Sequence, residues 1–242
     1  MKKKYFYILG ILSVIGLLFA VFQANSTLRY LFPEKVWSHK TNTLKKLDEV
    51  KSTFCGVELD LVFDTTTSVF DVNHPPDKSN GLSLDTYMQD AGSSPGLKLW
   101  LDFKNLTREN ETIALKSLDL LVAENGLDKS NIIVESMEVC LLNEFNKSGY
   151  LTSYYLPGNI SRLEKMEQEK VLSEIQMVLK SCPQTYISTE YKDYELISKY
   201  FPEEKKLIWF TVYGGLNIIS ARALLYKLLL DHKVEVLLVP FS

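Results

Sequence analysis

The sequence predicts a single (β/α)8 barrel, a TIM barrel, preceded by an apolar N-terminal helix. Three observations carry this. Eight short strand-like runs alternate with helical runs between Lys35 and Val239, and such alternation builds a parallel sheet with right-handed crossovers. Eight βα units are the number that closes into a barrel. The alternative, an open doubly wound sheet, lacks the Gly-x-Gly-x-x-Gly turn that would seat a dinucleotide.

At the N-terminus, Lys2-Lys3-Lys4 precedes an uncharged run of 18 residues, Tyr5 to Phe22. That is just long enough to span a hydrocarbon core of about 30 Å. Residues 1–25 therefore read as a membrane anchor or a signal peptide. Bulky Phe22 at the −3 position of a cut after Ala24 favours the anchor. The lysines keep the N-terminus in the cytoplasm and the rest outside it. The expectation is a single-pass membrane protein with an extracytoplasmic domain, or a secreted or periplasmic one if the segment is cleaved. Residues 26–34 read as a linker and 35–242 as the barrel domain.

The units follow in order. Lys35–His39 is strand one, and Thr43–Val50 a helix with Leu44, Leu47 and Val50 on one face. Gly56–Phe63 is strand two. Val57, Leu59 and Leu61 point one way, Glu58 and Asp60 the other. The chain extends again from Val69 to Asn73 and delivers His74, after which Pro75-Pro76 stops any helix. Ser83 caps a helix carrying Leu84, Tyr87 and Met88. Leu97–Phe103 is strand three. Its row Lys98, Trp100, Asp102 faces the barrel interior and its apolar row the helices. Glu111–Ala123 is a helix with Ile113, Leu115, Leu118, Leu121 and Val122 on its apolar side. Asn131–Val134 is strand four, with Glu135 at its end, and Met137–Phe145 a helix. Tyr150–Leu156 is strand five, Arg162–Lys180 a long amphipathic helix, and Thr185–Ser188 strand six. Tyr191–Tyr200 is a helix and Lys206–Tyr213 strand seven, along which Trp209, Thr211 and Tyr213 alternate. Ala221–Asp231 is the last helix and Val234–Val239 strand eight.

Composition excludes some classes. With 46% hydrophobic and 24% charged residues and a formal net charge of −3, the chain is an ordinary globular one. No basic stripe marks a nucleic-acid binder. Cys55, Cys140 and Cys182 form no Cys-x-x-Cys pair, which argues against a zinc site and a disulfide-rich scaffold. Three buried thiols are the expectation over one disulfide.

Active sites of this fold lie at the C-terminal ends of the strands, and the conspicuous polar residues gather there. Glu58, Asp60 and Asp102 are carboxylates that repel unless something positive lies between them. One divalent cation, Mg²⁺ or Ca²⁺, is the simplest candidate. His39 and His74 suit a general base and a general acid, and Lys104 a further positive charge for a phosphate. Asn42 reads as a helix N-cap or a site residue. Trp209 reads as a core aromatic or a substrate platform. Glu135 is a candidate substrate contact. His232, between the last helix and the last strand, lies at the opposite end and reads as a helix C-terminal residue favoured by the dipole.

These residues carry a resemblance. His39-Lys-Thr-Asn42, Glu58-Leu-Asp60, His74-Pro-Pro-Asp77 and Gly96-Leu-Lys-Leu-Trp-Leu-Asp102-Phe-Lys104 resemble the menorin family. That family is similar to the glycerophosphodiester phosphodiesterases and other phospholipase-C-like barrels. The resemblance covers roughly residues 36–104. It implies a (β/α)8 barrel in which His39 and His74 match the two catalytic histidines and Glu58, Asp60 and Asp102 the metal ligands. Two departures stand out: Lys40-Thr41 replaces the usual Arg-Gly after the first histidine, and Asp102 replaces a longer Glu. The implied function is a membrane-tethered, metal-dependent phosphodiesterase acting on a small or lipid-derived phosphodiester. The alternative is a non-catalytic module that uses the same pocket for a phosphorylated or carbohydrate ligand. A third reading, an adhesion domain, rests on Asn-x-Ser/Thr patterns at Asn25, Asn105, Asn110, Asn146 and Asn159.

Overall fold

The computed structural model describes residues 25–210 and 219–240, together with residues 13, 14 and 16. The expected anchor, Thr211 and Tyr213 lie outside these. Among the described residues no helix is long and apolar enough to cross a membrane.

Among the described residues nine strands form one sheet: β1 Val36–Ser38, β2 Gly56–Asp64, β3 Val69–Val72, β4 Lys98–Phe103, β5 Ile132–Ser136, β6 Leu151–Tyr155, β7 Tyr186–Glu190, β8 Lys206–Trp209 and β9 Val234–Val239. Eight run parallel in the cyclic order β1, β2, β4, β5, β6, β7, β8, β9. Pairing of β1 with both β2 and β9 closes the barrel. The extra strand β3 is the segment that delivers His74. It runs antiparallel to the end of β2, pairing Leu61 with Val72 and Asp64 with Val69.

The helices are α1 Asn25–Leu31, α2 Leu44–Val50, α3 Leu84–Gly92, α4 Glu111–Glu124, α5 Asn143–Lys147, α6 Lys165–Ser181, α7 Tyr194–Tyr200 and α8 Ile219–Leu230. Thr43 and Ser83 cap α2 and α3 by accepting from the Lys46 and Thr86 amides, at 3.2 Å each. Such side chains satisfy orphan donors of the first turn.

Several expectations need correction. The stretch read as a linker contains α1, which buries Leu28 and sets Arg29 4.8 Å over the Phe54 ring. The helix expected over Met137–Phe145 is a 3-10 segment, Val139–Leu142, followed by α5. Met137 is left exposed. Arg162 belongs to a separate 3-10 turn before α6. On α4 the buried stripe is Ala114, Leu118 and Val122, whereas Ile113 is exposed. A small residue there lets the helix lie close to the sheet, and periodicity weighted by hydrophobicity alone overlooks it. Strand β5 runs on through Ser136, so Glu135 lies within it and not beyond it. Cys140 and Cys182 form a disulfide, and Cys55 is free.

Two layers of core follow from the pleat. Leu99, Leu101 and Phe103 face outward into the main cluster beneath the helices. Trp37, Trp100, Ile133, Leu207, Val236 and Leu238 fill the barrel itself. At the start of β2, Gly56 admits the Trp37 ring: a Cβ there would lie 2.3 Å from it. The plugged lower interior leaves the upper end, where the acids stand, as the place for a cavity.

Candidate active site

Register builds the acid cluster. On β2 and β4, Glu58 pairs with Trp100 and Asp60 with Asp102, so Asp60 and Asp102 stand side by side on the inner face. Glu58 lies one pleat below Asp60. One oxygen from each of the three carboxylates lies within 4.8 Å of the others. All three residues are buried.

The turn after β1 folds onto these acids. Lys40 sits at φ 52°, the left-handed region that non-glycine residues rarely adopt. This turns its amide toward Glu58 Oε2, to which it donates at 2.6 Å, while the Thr41 amide donates to the Glu58 carbonyl at 2.7 Å. Lys46, one turn into α2, donates to the carbonyls of His39 and Lys40 at 2.5 and 3.0 Å. Asn42 is not the N-cap; Thr43 is. Asn42 instead grips Asp60 twice: its Nδ2 donates to Asp60 Oδ2 at 2.6 Å and its Oδ1 accepts from the Asp60 amide at 2.9 Å.

Lys104 lies between the acids. Its Nζ is 2.9 Å from Asp60 Oδ1 and bonds to Asp102 Oδ2. Burial works against its charge, but Asp102 and Asp60 outweigh burial and hold its pKa above the ordinary lysine value. Glu58 is pushed well above the usual carboxylate range by burial and by the charges of Asp60 and Asp102. Asp102 is raised by burial, with Lys104 opposing. Asn105, just beyond β4, locks the strand tops by donating to the Phe63 carbonyl at 2.9 Å and accepting from the Phe63 amide at 2.8 Å.

The two histidines reach the cluster from different segments. His39 Nδ1 is 3.0 Å from the Phe210 carbonyl. A carbonyl only accepts, so Nδ1 carries the proton and Nε2 is left as the basic nitrogen. Nε2 faces Glu58 Oε2 at 3.8 Å. Burial and the nearby Lys40 charge lower the His39 pKa to about 4, so the ring is neutral near pH 7. His74 follows β3; its loop is tied down by the Asn73 amide donating to the Asp60 carbonyl at 3.0 Å. It is half-buried.

Eight of the nine predicted site residues line one cavity of about 200 Å³: His39, Glu58, Asp60, His74, Asp102, Lys104, Glu135 and Trp209. The ninth, Asn42, stands behind Asp60. Glu135 accepts from Ser153 Oγ at 2.6 Å, and burial together with Asp102 pushes its pKa up to about 8. Trp209 stacks on Tyr155, with centroids 5.9 Å apart and planes 20° apart. His232 is exposed beside Asp231, at the opposite end of the barrel.

Sequence reasoning missed Tyr155 and Lys46. Tyr155 ends β6 on the cavity wall, its ring 5.7 Å from the Lys104 ammonium. The same strand-end rule that found Glu135 would have found it. Lys46 had no signal, because nothing in a helix sequence says that a first-turn lysine reaches back to the preceding loop.

The donor set fits a hard divalent cation. Oxygens bound to one such ion at about 2.0–2.6 Å lie at most about 5 Å apart, and the spread of the three acids meets that limit. Glu58, Asp60 and Asp102 would hold the ion.

This geometry can be set beside known proteins. No family model and no curated protein sequence matches this chain. Solved structures do match. A glycerophosphodiester phosphodiesterase from Parabacteroides distasonis superposes with a TM-score of 0.59 at 17% identity, covering 84% of this chain and 91% of that one. This chain shares the barrel fold of that enzyme. A putative glycerophosphodiester phosphodiesterase from Galdieria sulphuraria gives 0.58 at 12% identity, covering 84% and 92%. A phosphodiesterase from Oleispira antarctica, in complex with the product sn-glycerol-3-phosphate, gives 0.57 at 11% identity, covering 86% and 94%. At these identities the likeness is one of fold.

Proposed function

We propose that this protein hydrolyses a phosphodiester with the help of one divalent cation, in the manner of the glycerophosphodiester phosphodiesterases whose fold it shares. The observation that carries the proposal is the convergence of Glu58, Asp60 and Asp102 on one point of a cavity that two histidines and a lysine also line. When bound, the cation supplies positive charge to the phosphate and eases attack on it. His39, neutral with Nε2 free, takes the proton of the attacking oxygen. His74, on the neighbouring loop, gives one to the departing alcohol. Lys104 offers its ammonium to the phosphate, and Asn42 fixes Asp60 in place. Glycerophosphodiesters and lysophospholipids, assayed with Mg²⁺, Ca²⁺ or Mn²⁺, should be turned over, and chelation or Asp60→Asn should abolish the reaction. Absence of turnover across that panel with every metal would sink the proposal.

A second reading has one observation in its favour. Lys104 already bridges Asp60 and Asp102 without any ion, offsetting one of their two charges. A menorin-like binding module would use the same pocket without chemistry. Tight ligand binding that survives His39→Ala and His74→Ala, with no product formed, would favour it. The adhesion reading loses ground, since the side-chain amides of Asn105 and Asn110 donate to the carbonyls of Phe63 and Asn105, at 2.9 and 2.7 Å. A glycan on either nitrogen would compete with those bonds.

The proposal places the domain outside the cytoplasm, tethered to the membrane by residues 1–25. The support is Lys2-Lys3-Lys4 before the apolar run and the Cys140–Cys182 disulfide, since disulfides persist in oxidising compartments. Fractionation of expressing cells should find the protein in membranes and open to external protease. Recovery as a reduced cytosolic protein would overturn the placement.

A further inference from the structure

Five of the twelve asparagines, Asn25, Asn105, Asn110, Asn146 and Asn159, begin an Asn-x-Ser/Thr acceptor triplet. The serine and threonine content would give about two by chance, so the pattern is in excess. An N-linked oligosaccharide is bulky and has to stand at the surface, and it replaces one hydrogen of the carboxamide nitrogen. The fold separates the five by that requirement. Asn110 is 3% exposed, and its Nδ2 donates to the Asn105 carbonyl. Asn105 is half-buried between the strand tops it locks. Asn146 is exposed, but its Nδ2 donates to both Thr152 Oγ1 and Thr185 Oγ1, at 3.3 Å each, which uses both hydrogens. Asn25 lies three residues beyond Phe22, within the headgroup layer of a bilayer that the apolar run spans.

Asn159 differs. It is exposed on the loop after β6, at φ 60°, and its side chain makes no capping bond to the 3-10 turn it opens, Ile160–Arg162. The turn is held without that side chain: Ile160 is fully buried, and Asp193 accepts from the amides of Ile160 and Ser161 at 3.1 and 2.8 Å. A left-handed backbone accounts for an asparagine at 159 but not for a serine at 161. Ser161 is exposed, and its Oγ meets the Lys192 carbonyl at 3.5 Å, the far limit of a hydrogen bond. The triplet is therefore complete where the backbone calls for its first member alone. The loop leaves the C-terminal end of β6, whereas α1 leads into the start of β1. Those are opposite ends of a parallel barrel, so Asn159 stands clear of the tether.

We infer that Asn159 carries an N-linked oligosaccharide. The inference rests on the proposed extracytoplasmic placement and not on the proposed chemistry. The sugar comes from a lipid diphosphate donor of the secretory pathway. The bond from its anomeric carbon to the diphosphate oxygen breaks, a bond from that carbon to Asn159 Nδ2 forms, and one amide proton leaves with the released diphosphate.

The test is expression of the full chain in cultured animal cells, then peptide mapping with and without peptide N-glycosidase, which leaves an aspartate where a glycan stood. Position 159 should read as aspartate only after that treatment. Ser161→Ala keeps the asparagine and its backbone but breaks the triplet, and Asn159→Gly keeps the left-handed turn without the acceptor. Both should migrate on a gel faster than the wild type by the shift that one glycan gives, and Ser161→Ala should keep the melting temperature of the deglycosylated wild type. An Asn159 left unmodified in chains that carry the Cys140–Cys182 bridge would overturn the inference alone, since the bridge marks an oxidising compartment. Chains both reduced and unmodified would overturn it together with the placement. A glycan on Asn105 or Asn110 in place of Asn159 would overturn it as well.

Discussion

At the scale of single residues, the two histidines differ in kind. His39 is buried, its tautomer set by the Phe210 carbonyl, whereas His74 is half-buried on a loop. His39→Ala or His74→Ala should each lower turnover by roughly 10²- to 10⁴-fold, the usual worth of general acid–base catalysis. The double variant should lose less than the product of the two. His232→Ala, at the far end, should leave turnover unchanged, and equal losses in all three would point to stability instead of chemistry. Glu135 makes a separate prediction about pH. Its pKa rises from 4.5 to about 8 on folding, so the folded state holds its proton more tightly. The stability it contributes is fully present below pH 4.5 and is lost as pH rises through about 8. His39 runs the other way, losing its contribution as pH falls from 6.5 through about 4. Urea unfolding of chelated protein at pH 5 and pH 8 should therefore show a smaller drop for Glu135→Gln than for the wild type. An identical drop would mean that Glu135 is ionised in the fold.

At the scale of elements, the pairing of β2 with β4 sets the site. Asp60 opposite Asp102 is a like-charge pair, which is destabilising on neighbouring strands, and Lys104 offsets it. Removing that lysine leaves buried acids without a counter-ion. Lys104→Met should lower the melting temperature of the metal-free protein by on the order of 5 °C. Added Ca²⁺ should raise it further in the variant than in the wild type. A melting temperature unmoved by the substitution would show that Lys104 is not the counter-charge.

At the scale of the whole molecule, the Cys140–Cys182 bridge ties the 3-10 segment after β5 to the end of α6, across a separation of 42 residues. Closing a loop of that length removes unfolded-chain entropy worth about 4 kcal/mol at 25 °C. Cys140→Ser should cost about that much in denaturant unfolding, and reductant should cost the wild type the same while leaving the variant alone. An unfolding midpoint indifferent to reductant would show that the bridge adds nothing.

The sequence by itself determined the eight-fold alternation, because strand and helix periods are local properties of neighbouring residues. It also set Glu58 and Asp60 on one face of their strand and Asp102 on the inward row of the next, because side-chain alternation is local too, whereas β2 runs on to Asp64 and leaves Glu58 and Asp60 within the strand and not at its end. Tertiary structure alone decided the rest. Asn42 became the clamp on Asp60 because β1 lies beside β2, a neighbour relation that capping rules do not contain. Lys104 became the counter-ion because two acids met across a register, and Cys140 met Cys182 because a helix returned past β5. The polarity of the cavity wall depended on which inward residues the apolar plug below left uncovered. Periodicity fixes which face a residue shares, but contact across the barrel comes from closure, where residues far apart in the chain are brought within bonding distance.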